Sequence, residues 1–341
     1  MDTFEHKPLE YLKRDVRKRV EVYLGCELEH LPPRTMDAIQ REIIALRGHY
    51  RDPATGGWQY GRNRPRLVAY ALAYYPYYVE LVSDAIQIAS KEFVVPRRWD
   101  LTPDRGHTGT ARYAIVGCGA GPELYGLLRH LAGTLYSSGN RASVTPDISI
   151  SLFEPERERW AAVAEAVTKP LIGRIPWIEQ RREAGQIRIG WSPDPEPIPS
   201  LSLHGEYDFV LIQLVLNEVD LLWPTWLSRV MEANLAPGGT ICVIDTNHAV
   251  HDQLRELGFC PAKSLSLEWS EAGPRKLDPI TSSQVFRDAD GLIERRGVKA
   301  MASFWENAAI RGRRRLPPRR MDSSRSEKAT PSHRRRIDLF G

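Results

Sequence analysis

Three glycines stand at alternate positions directly after an apolar run, residues 113–116: Gly117, Gly119 and Gly121. The run predicts a buried strand, and the glycines predict a tight turn, because glycine adopts backbone conformations closed to other residues. Pro122 then suits the first turn of a helix, where its missing N–H is not needed. Leucines at helical spacing from Leu124 to Leu131 continue that helix. A strand, a glycine turn and a helix N-terminus with free N–H groups predict a nucleotide-binding cradle.

The spacing of these glycines distinguishes between two kinds of cradle. The dinucleotide fingerprint is G-x-G-x-x-G, but Pro122 occupies the place of its third glycine and the pattern here is G-x-G-x-G. The spacing therefore argues against an NAD-dependent oxidoreductase.

Four segments, in this order, resemble the motifs of the class I S-adenosylmethionine (SAM) methyltransferases. They are residues 113–121, 149–155, 207–213 and 235–245, the last of which resembles a turn at 235–239 followed by the fifth strand. The resemblance spans residues 110 to 300. It implies a Rossmann-like α/β fold with a seven-stranded, mostly parallel sheet and an antiparallel edge. It also implies SAM as the cofactor and methyl transfer as the reaction.

The resemblance places the cofactor contacts at the ends of the predicted strands. The residues concerned are Gly117, Cys118, Gly119, Ala120, Gly121, Glu154, Pro155, Trp191, Ser192, Asp194, Gln213 and Leu214. Glu154, after a strand from Ile148 to Phe153, would hold the ribose hydroxyls; the alternative is that it only caps the next helix. The group around Asp194, after a strand from Gln186 to Trp191, would flank the adenine; the alternative is a surface loop stiffened by prolines.

The resemblance places the transferred methyl group beside Asn217 and Glu218, which follow the fourth strand. Either side chain could orient or deprotonate an acceptor, or both could simply begin the next helix. One departure concerns the acid that usually stands two places before the first glycine, because Ile115 occupies that place. The methionine amino group must then be held by other groups, such as backbone carbonyls.

The phrase Leu-Val-Leu-Asn-Glu, residues 214–218, gives a weaker resemblance to the Rsm-type ribosome-associated methyltransferase-like proteins. Those proteins also have a helical N-terminal part with an apolar, tyrosine-containing helix before the first motif. The chain lacks the cysteine cluster that many of them have.

The region before the glycine turn reads as a helical N-terminal domain, residues 1–105. Apolar residues recur at intervals of three and four from Leu9 to Val20, and a long apolar helical region from Arg66 to Ser90 is interrupted by Pro76. Its tyrosines are predicted to be mainly core residues, and one or two of them could line the substrate or cofactor pocket. The segment Trp58–Arg66 mixes aromatic and basic residues and is either a nucleic-acid surface or a loop packed on the helices.

The charge is distributed unevenly along the chain. The net charge is +4, yet residues 304–341 hold eleven Lys and Arg against four acids, a net charge of +7. The remainder has 36 basic and 39 acidic residues, a net charge of −3. The resemblance places a SAM-binding domain at residues 106–304, and the composition predicts a basic, disordered tail at 305–341.

The four cysteines are scattered without a C-x-x-C pair, which favours a reduced, cytoplasmic protein and argues against a zinc site. No run approaches 18 apolar residues and Met1–His6 shows no signal pattern, so we expect no membrane segment. The oligomeric state is not indicated by the sequence.

Three functions follow from these observations. The first is a SAM-dependent methyltransferase acting on RNA, because clustered arginines bind phosphate backbones. The second is a methyltransferase for a small molecule or natural product, with the N-terminal helices as a lid. The third is a binding or assembly protein that keeps the fold without catalysis, and Ile115 keeps this alternative open.

Overall fold

The computed structural model describes residues 9–51, 63–92, 110–137, 147–192, 196–198, 200–216, 218–219, 222–261, 265–268 and 297–307. The helices are α1 (Leu9–Leu24), α2 (Pro33–Arg51), α3 (Arg64–Ala73), α4 (Tyr75–Glu92), α5 (Pro122–Ser137), α6 (Arg157–Val163), α7 (Lys169–Ile172), α8 (Pro176–Glu183), α9 (Trp223–Ala233) and α10 (His248–Glu256). The strands are β1 (Thr110–Val116), β2 (Asp147–Phe153), β3 (Ile187–Trp191), β4 (Tyr207–Gln213), β5 (Leu235–Asp245), β6 (Cys260–Pro261), β7 (Leu265–Glu268) and β8 (Gly297–Glu306).

The strands form one mixed sheet in the order β3-β2-β1-β4-β5-β8-β6, with β7 also paired to β8. The first five strands are parallel, and β8 is antiparallel to its neighbours. The predicted Rossmann-like α/β fold, mostly parallel with an antiparallel edge, is confirmed. The described residues form eight strands rather than seven, because Leu265–Glu268 pairs with the first half of β8 as a separate short strand.

The carboxyl ends of the parallel strands meet along one edge of the sheet. Val116 pairs with Phe153 on one side and with Ile212 on the other, and Gln213 pairs with Ile244. The chain runs from β1 outward to β3 and then returns to add β4 on the opposite side of β1. This reversal is a topological switch point, where open α/β sheets form a ligand crevice.

Both faces of the sheet are covered, as the alternation of side chains along each strand requires. Tyr113 and Ile115 of β1 face a core that is shared with helices α1–α5 and the segment from α6 to α8. Ala114 and Val116 face a second core, formed with α9 and α10. The N-terminal helices therefore pack on the same side of the sheet as α5.

The predicted interruption at Pro76 separates α3 from α4, with Tyr74 at the junction. The tyrosines of this region are buried, as predicted: Tyr70, Tyr74, Tyr75, Tyr77 and Tyr78. Helix α4 packs closely on α5 at Gly126, where an added Cβ would lie 2.8 Å from the Val79 carbonyl oxygen. A buried ion pair joins the same helices, with Arg129 donating to both carboxylate oxygens of Glu80 at 2.8 and 2.7 Å.

Two element boundaries differ from the sequence interpretation. The segment Leu235–Gly239, interpreted as a turn, is the first part of β5, because Leu235 pairs with Tyr207 before a register shift. Strand β8 continues to Glu306, past the predicted start of the tail, and Asn307 bonds to Gly239 through its backbone. Residues 308–341, and with them the predicted disorder of the tail, lie outside the described residues, as does most of Trp58–Arg66.

Candidate functional site

The glycine turn leads from β1 into α5 at the switch point. All three glycines have positive φ, +70° at Gly117, +46° at Gly119 and +90° at Gly121, a region that L-residues with side chains rarely adopt. An added Cβ on Gly117 would lie 2.2 Å from a methyl group of Val215, which follows β4. The turn therefore depends on glycine for its backbone shape and for its close approach to the segment after β4. Cys118 and Ala120 are buried within it.

Glu154 follows β2 and reaches the glycine turn. One carboxylate oxygen accepts from the backbone N–H of Gly119 at 2.8 Å, and the other accepts from that of Glu156 at 2.9 Å. Burial raises the pKa of Glu154 above its ordinary value, although the two backbone hydrogen bonds oppose the rise. The two interpretations of Glu154 are thus compatible, because the carboxyl group bonds the chain just before α6 and also lies at the turn. Pro155 beside it is exposed.

The end of β3 lies next to Glu154 along the edge. Trp191 is the last residue of the strand and is 39% exposed, an unusual position for an indole ring. Ser192 is buried, and its carbonyl oxygen accepts from Arg157 at 3.2 Å. Its hydroxyl oxygen has no hydrogen-bond partner in the described part of the chain. Asp194 lies outside the described residues.

The end of β4 forms the other wall of the crevice. Gln213 is buried, and its side-chain nitrogen donates to the Tyr78 carbonyl oxygen of α4 at 3.3 Å. Its side-chain oxygen is buried without a partner among the described residues. Leu214 has φ +56°, a strained backbone for a leucine that costs on the order of 1–3 kcal/mol. Such strain is typical of functional sites.

Glu218 lies in the turn after β4, with its backbone N–H bonded to the Val215 carbonyl oxygen. The interpretation that it begins the next helix is wrong, because α9 begins only at Trp223. Desolvation by the surrounding protein raises the pKa of Glu218 to about 8, and the carboxyl groups of Asp245 and Glu154 add to the rise. Glu218 is nevertheless exposed to solvent. Asn217 lies outside the described residues.

Thr168, which the sequence interpretation missed, binds the glycine turn, and Tyr75 in turn binds Thr168. The hydroxyl of Thr168 donates to the Ala120 carbonyl oxygen, and the hydroxyl of Tyr75 lies 2.9 Å from that of Thr168. Since the Thr168 proton is used on Ala120, the Tyr75 hydroxyl donates to Thr168. Thr168 belongs to a π-helical turn, residues 164–168, which follows α6. No local sequence signal indicates such a turn, so this contact could not be predicted.

Glu123, in the first turn of α5, is a second residue that the sequence interpretation missed. Its side chain is 3% exposed, and one carboxylate oxygen is buried without a hydrogen-bond partner within the described ranges. Burial raises the pKa of Glu123 well above its ordinary value, and the charge of Glu154 contributes to the rise. The signal available in the sequence was an acidic residue, Glu123, directly before the apolar residue Leu124.

The residues present fit a ligand that carries hydroxyl, amino and amide-like groups. Among the buried polar atoms that lack partners in the described part of the chain, three belong to segments that leave this edge: Glu123 Oε2, Ser192 Oγ and Gln213 Oε1. Unpartnered buried polar atoms are costly, so a ligand that bonds them is strongly favoured. The adenosine and methionine parts of SAM carry the matching groups. The described residues hold no cluster of three or more His, Cys, Asp and Glu suited to a metal ion.

No protein-family model and no curated protein matches the chain. Solved structures do resemble it. An O-methyltransferase candidate from Nostoc punctiforme PCC 73102 is 12% identical, with a TM-score of 0.39 over 82% of this chain and 71% of that one. The precorrin-6y C5,15-methyltransferase of Geobacter metallireducens GS-15 is 10% identical, with a TM-score of 0.31 over 61% and 87%. A loganic acid methyltransferase with SAH is 9% identical, with a TM-score of 0.35 over 51% and 56%.

At these identities and TM-scores the similarities carry no argument about the chain. Its own strand order and glycine turn give it a Rossmann-like α/β fold. What the site does is decided by its own residues. In the described part of the chain, none of the helices combines the length and hydropathy needed to span a bilayer.

Proposed function

We propose that this chain is a SAM-dependent methyltransferase whose cofactor lies at the switch point between β1 and β4. The observation that carries the proposal is the glycine turn, which Glu154 contacts at Gly119 from the end of β2. A glycine turn of this shape lets the backbone lie close to a ligand, and the acid beside it can accept hydrogen bonds from two ribose hydroxyls. The N–H groups of the three glycines themselves bond to Phe153, Glu154 and Cys118.

The remaining residues of the edge have complementary roles in this proposal. Glu154 would hold the ribose, and the exposed Trp191 would stack on the adenine beside Ser192. Gln213 and the strained backbone at Leu214 would form the wall next to the sulfur. Glu218 would face the acceptor, since it lies in the segment that follows this wall.

Bound SAM supplies a methyl group on a positively charged sulfur, which is an electrophile that needs no further activation. The chain's own task is then to hold an acceptor in line with that methyl group and to remove its proton. Glu218 suits the second task, because a carboxyl group with a pKa near 8 accepts a proton at close to neutral pH. The acidic groups around it also favour a cationic ligand.

RNA is the acceptor that we propose, in a cytoplasmic enzyme. The support is the charge of the chain, since residues 304–341 carry a net charge of +7 on a body of net charge −3. Clustered arginines bind phosphate backbones with little sequence preference. The basic segment follows β8, whose end at Glu306 pairs with Thr240, away from the carboxyl ends of the parallel strands. In this proposal the segment holds RNA on the body of the protein while Glu218 and Asn217 act on one nucleotide.

A small-molecule acceptor is the second candidate, and one observation favours it. Helices α3 and α4 cover the glycine turn, with the ring of Tyr70 4.7 Å from that of Trp160 and the Tyr75 hydroxyl bonded to Thr168. A site covered in this way suits an acceptor that fits beneath the helices.

The first experiment is calorimetric titration of the protein with SAM and with its demethylated product, S-adenosylhomocysteine (SAH). Gly119→Arg should abolish binding, because a large side chain at φ +46° would fill the turn beside Trp160. Gly133→Arg is the matched control, since an added Cβ there meets nothing within 4 Å. Thermal unfolding of both variants shows whether they remain folded.

Micromolar binding that only Gly119→Arg abolishes would support the proposal. Transfer of label from SAM to RNA, but not to a panel of small acceptors, would then support the RNA acceptor. Absence of binding to both ligands would refute the proposed function and favour a non-catalytic assembly protein.

A further inference from the structure

We propose that Glu123 binds the ammonium group of the methionine part of SAM, in place of an acid at the end of β1. This inference rests on the proposed function and adds to it a residue that determines ligand specificity. Its basis is the position of Glu123, at the second residue of α5 and two places after the last glycine of the turn.

The surroundings of Glu123 show that its carboxyl group lies at the site rather than in the general core. The charges of Glu123 and Glu154 both act on the Cys118 thiol within the glycine turn, and burial together with these charges raises the pKa of Cys118. The charge of Glu123 also acts on the Tyr75 hydroxyl, which is bonded to Thr168 beside Ala120. Glu123 is thus within electrostatic reach of the turn, of the acid after β2 and of helix α4.

The carboxyl group of Glu123 is only partly satisfied, because its own backbone N–H bonds to it while its second oxygen is left without a partner among the described residues. Glu123 is 3% exposed, and the oxygen without a partner in the ranges that the structure describes is Oε2. The carboxyl group of Glu123 interacts electrostatically with Glu154, Cys118 and Tyr75, and none of these three groups is a cation. A buried acid without a cation is costly, and a cationic ligand removes that cost.

The chemistry of the ligand supplies the missing cation. SAM and SAH both carry an α-ammonium group, and a buried ammonium group needs an acidic or carbonyl partner. Ile115, on β1, is fully buried and apolar, so it cannot serve. Glu123 is the acid that follows the other end of the same glycine turn. One ionic hydrogen bond would satisfy both its carboxyl group and the ammonium group of the ligand.

The test compares three ligands that share the adenosine part: SAH, its analogue in which hydrogen replaces the amino group, and 5′-methylthioadenosine, which lacks the whole amino acid. The wild-type protein should bind SAH at least tenfold more tightly than the deaminated analogue. Glu123→Gln should reduce this ratio to about two or less. Its affinity for 5′-methylthioadenosine should stay within twofold of wild type, because that ligand does not reach Glu123.

Glu158→Gln is the matched control, since Glu158 is an exposed acid in the first turn of α6. It should keep the wild-type ratio. Glu123→Gln should fold, because glutamine has the shape of the protonated acid, and the wild-type comparison of SAH with its deaminated analogue needs no variant at all.

Three outcomes would overturn the inference. Equal wild-type affinity for SAH and its deaminated analogue would show that the ammonium group is not recognised. A ratio that survives Glu123→Gln would show that another group recognises it. If neither SAH nor 5′-methylthioadenosine bound, both the proposed function and this inference would fail. If both ligands bound, a failure of this inference would leave the proposed function standing.

Discussion

At the scale of single residues, three carboxyl groups with raised pKa values lie along the edge of the sheet. Glu123, Glu154 and Glu218 all have a pKa raised above its ordinary value, chiefly because the surrounding protein desolvates them. Like charges placed together cannot all ionise in such a setting. The cluster therefore favours a positively charged ligand, and the sulfonium and ammonium groups of SAM together provide two positive charges.

The raised pKa of Glu218 predicts how the transfer rate depends on pH. If Glu218 removes the acceptor proton, kcat should rise with pH and level off at or below about 8, because the pKa of Glu218 is about 8 and a bound cation lowers it. Glu218→Gln should lower kcat roughly 10²–10⁴-fold, the usual contribution of a general base, and flatten the profile. A profile that keeps its shape in Glu218→Gln would contradict this role.

Asp84 of α4 offers a stability prediction of defined sign. Burial and the charge of Glu80 raise the pKa of Asp84 to about 6 from 3.8, against the opposing charge of Arg129. The folded protein therefore holds a proton that the unfolded chain releases between pH 4 and 6, and stability falls as pH rises through that window. Two pKa units correspond to roughly 3 kcal/mol, which partial exposure of the side chain reduces.

Asp84→Asn should therefore raise the free energy of unfolding at pH 7.5 by about 1 kcal/mol and give no gain at pH 4. Urea unfolding at the two pH values measures the difference. Asp37→Asn, at an exposed position of α2, is the control and should change little at either pH. An equal gain from Asp84→Asn at both pH values would show that ionisation is not its cause.

At the scale of elements, a chain of hydroxyl groups couples helix α4 to the glycine turn. Tyr75 donates to Thr168, and Thr168 donates to Ala120. Tyr75→Phe should cost about 1 kcal/mol of stability, the usual net value of one hydrogen bond. Thr168→Val should cost more, since it leaves the Tyr75 hydroxyl buried without its acceptor. Tyr11→Phe, at a 49% exposed position of α1, is the control.

The same series tests whether α4 orders the cofactor turn. SAH affinity should fall several-fold in Tyr75→Phe and further in Thr168→Val, because a looser turn must be ordered when the ligand binds. Calorimetry with SAH measures both variants. Loss of stability without any loss of affinity would show that α4 supports the fold and not the site.

Elements with local signals were predictable from the sequence, and contacts between elements were not. The strand predicted from Ile148 to Phe153 begins one residue earlier in the structure, and the strand predicted from Gln186 begins one residue later. Both strands were predictable because apolar runs and the turns beside them are local signals. The glycine turn was predictable for the same reason. Thr168 was not, since its contact depends on a π-helical turn and on residues 48 positions apart. Glu123 needed the burial of α5 to be known.

At the scale of the whole molecule, the last described residues indicate a position at which the chain can be truncated. Glu306 pairs with Thr240, and the Asn307 side chain donates to the Leu235 carbonyl oxygen at 3.0 Å. Truncation after residue 310 should thus keep the melting temperature and SAH affinity. It removes all eleven basic residues of the tail, so RNA affinity at low salt should fall at least tenfold and lose most of its salt dependence.

A full-length control with those arginines and the lysine changed to glutamine should behave like the truncation, because charge, not length, is the cause. Unchanged RNA binding in both proteins would place the RNA elsewhere, whereas loss in the truncation alone would assign the effect to the tail's uncharged residues.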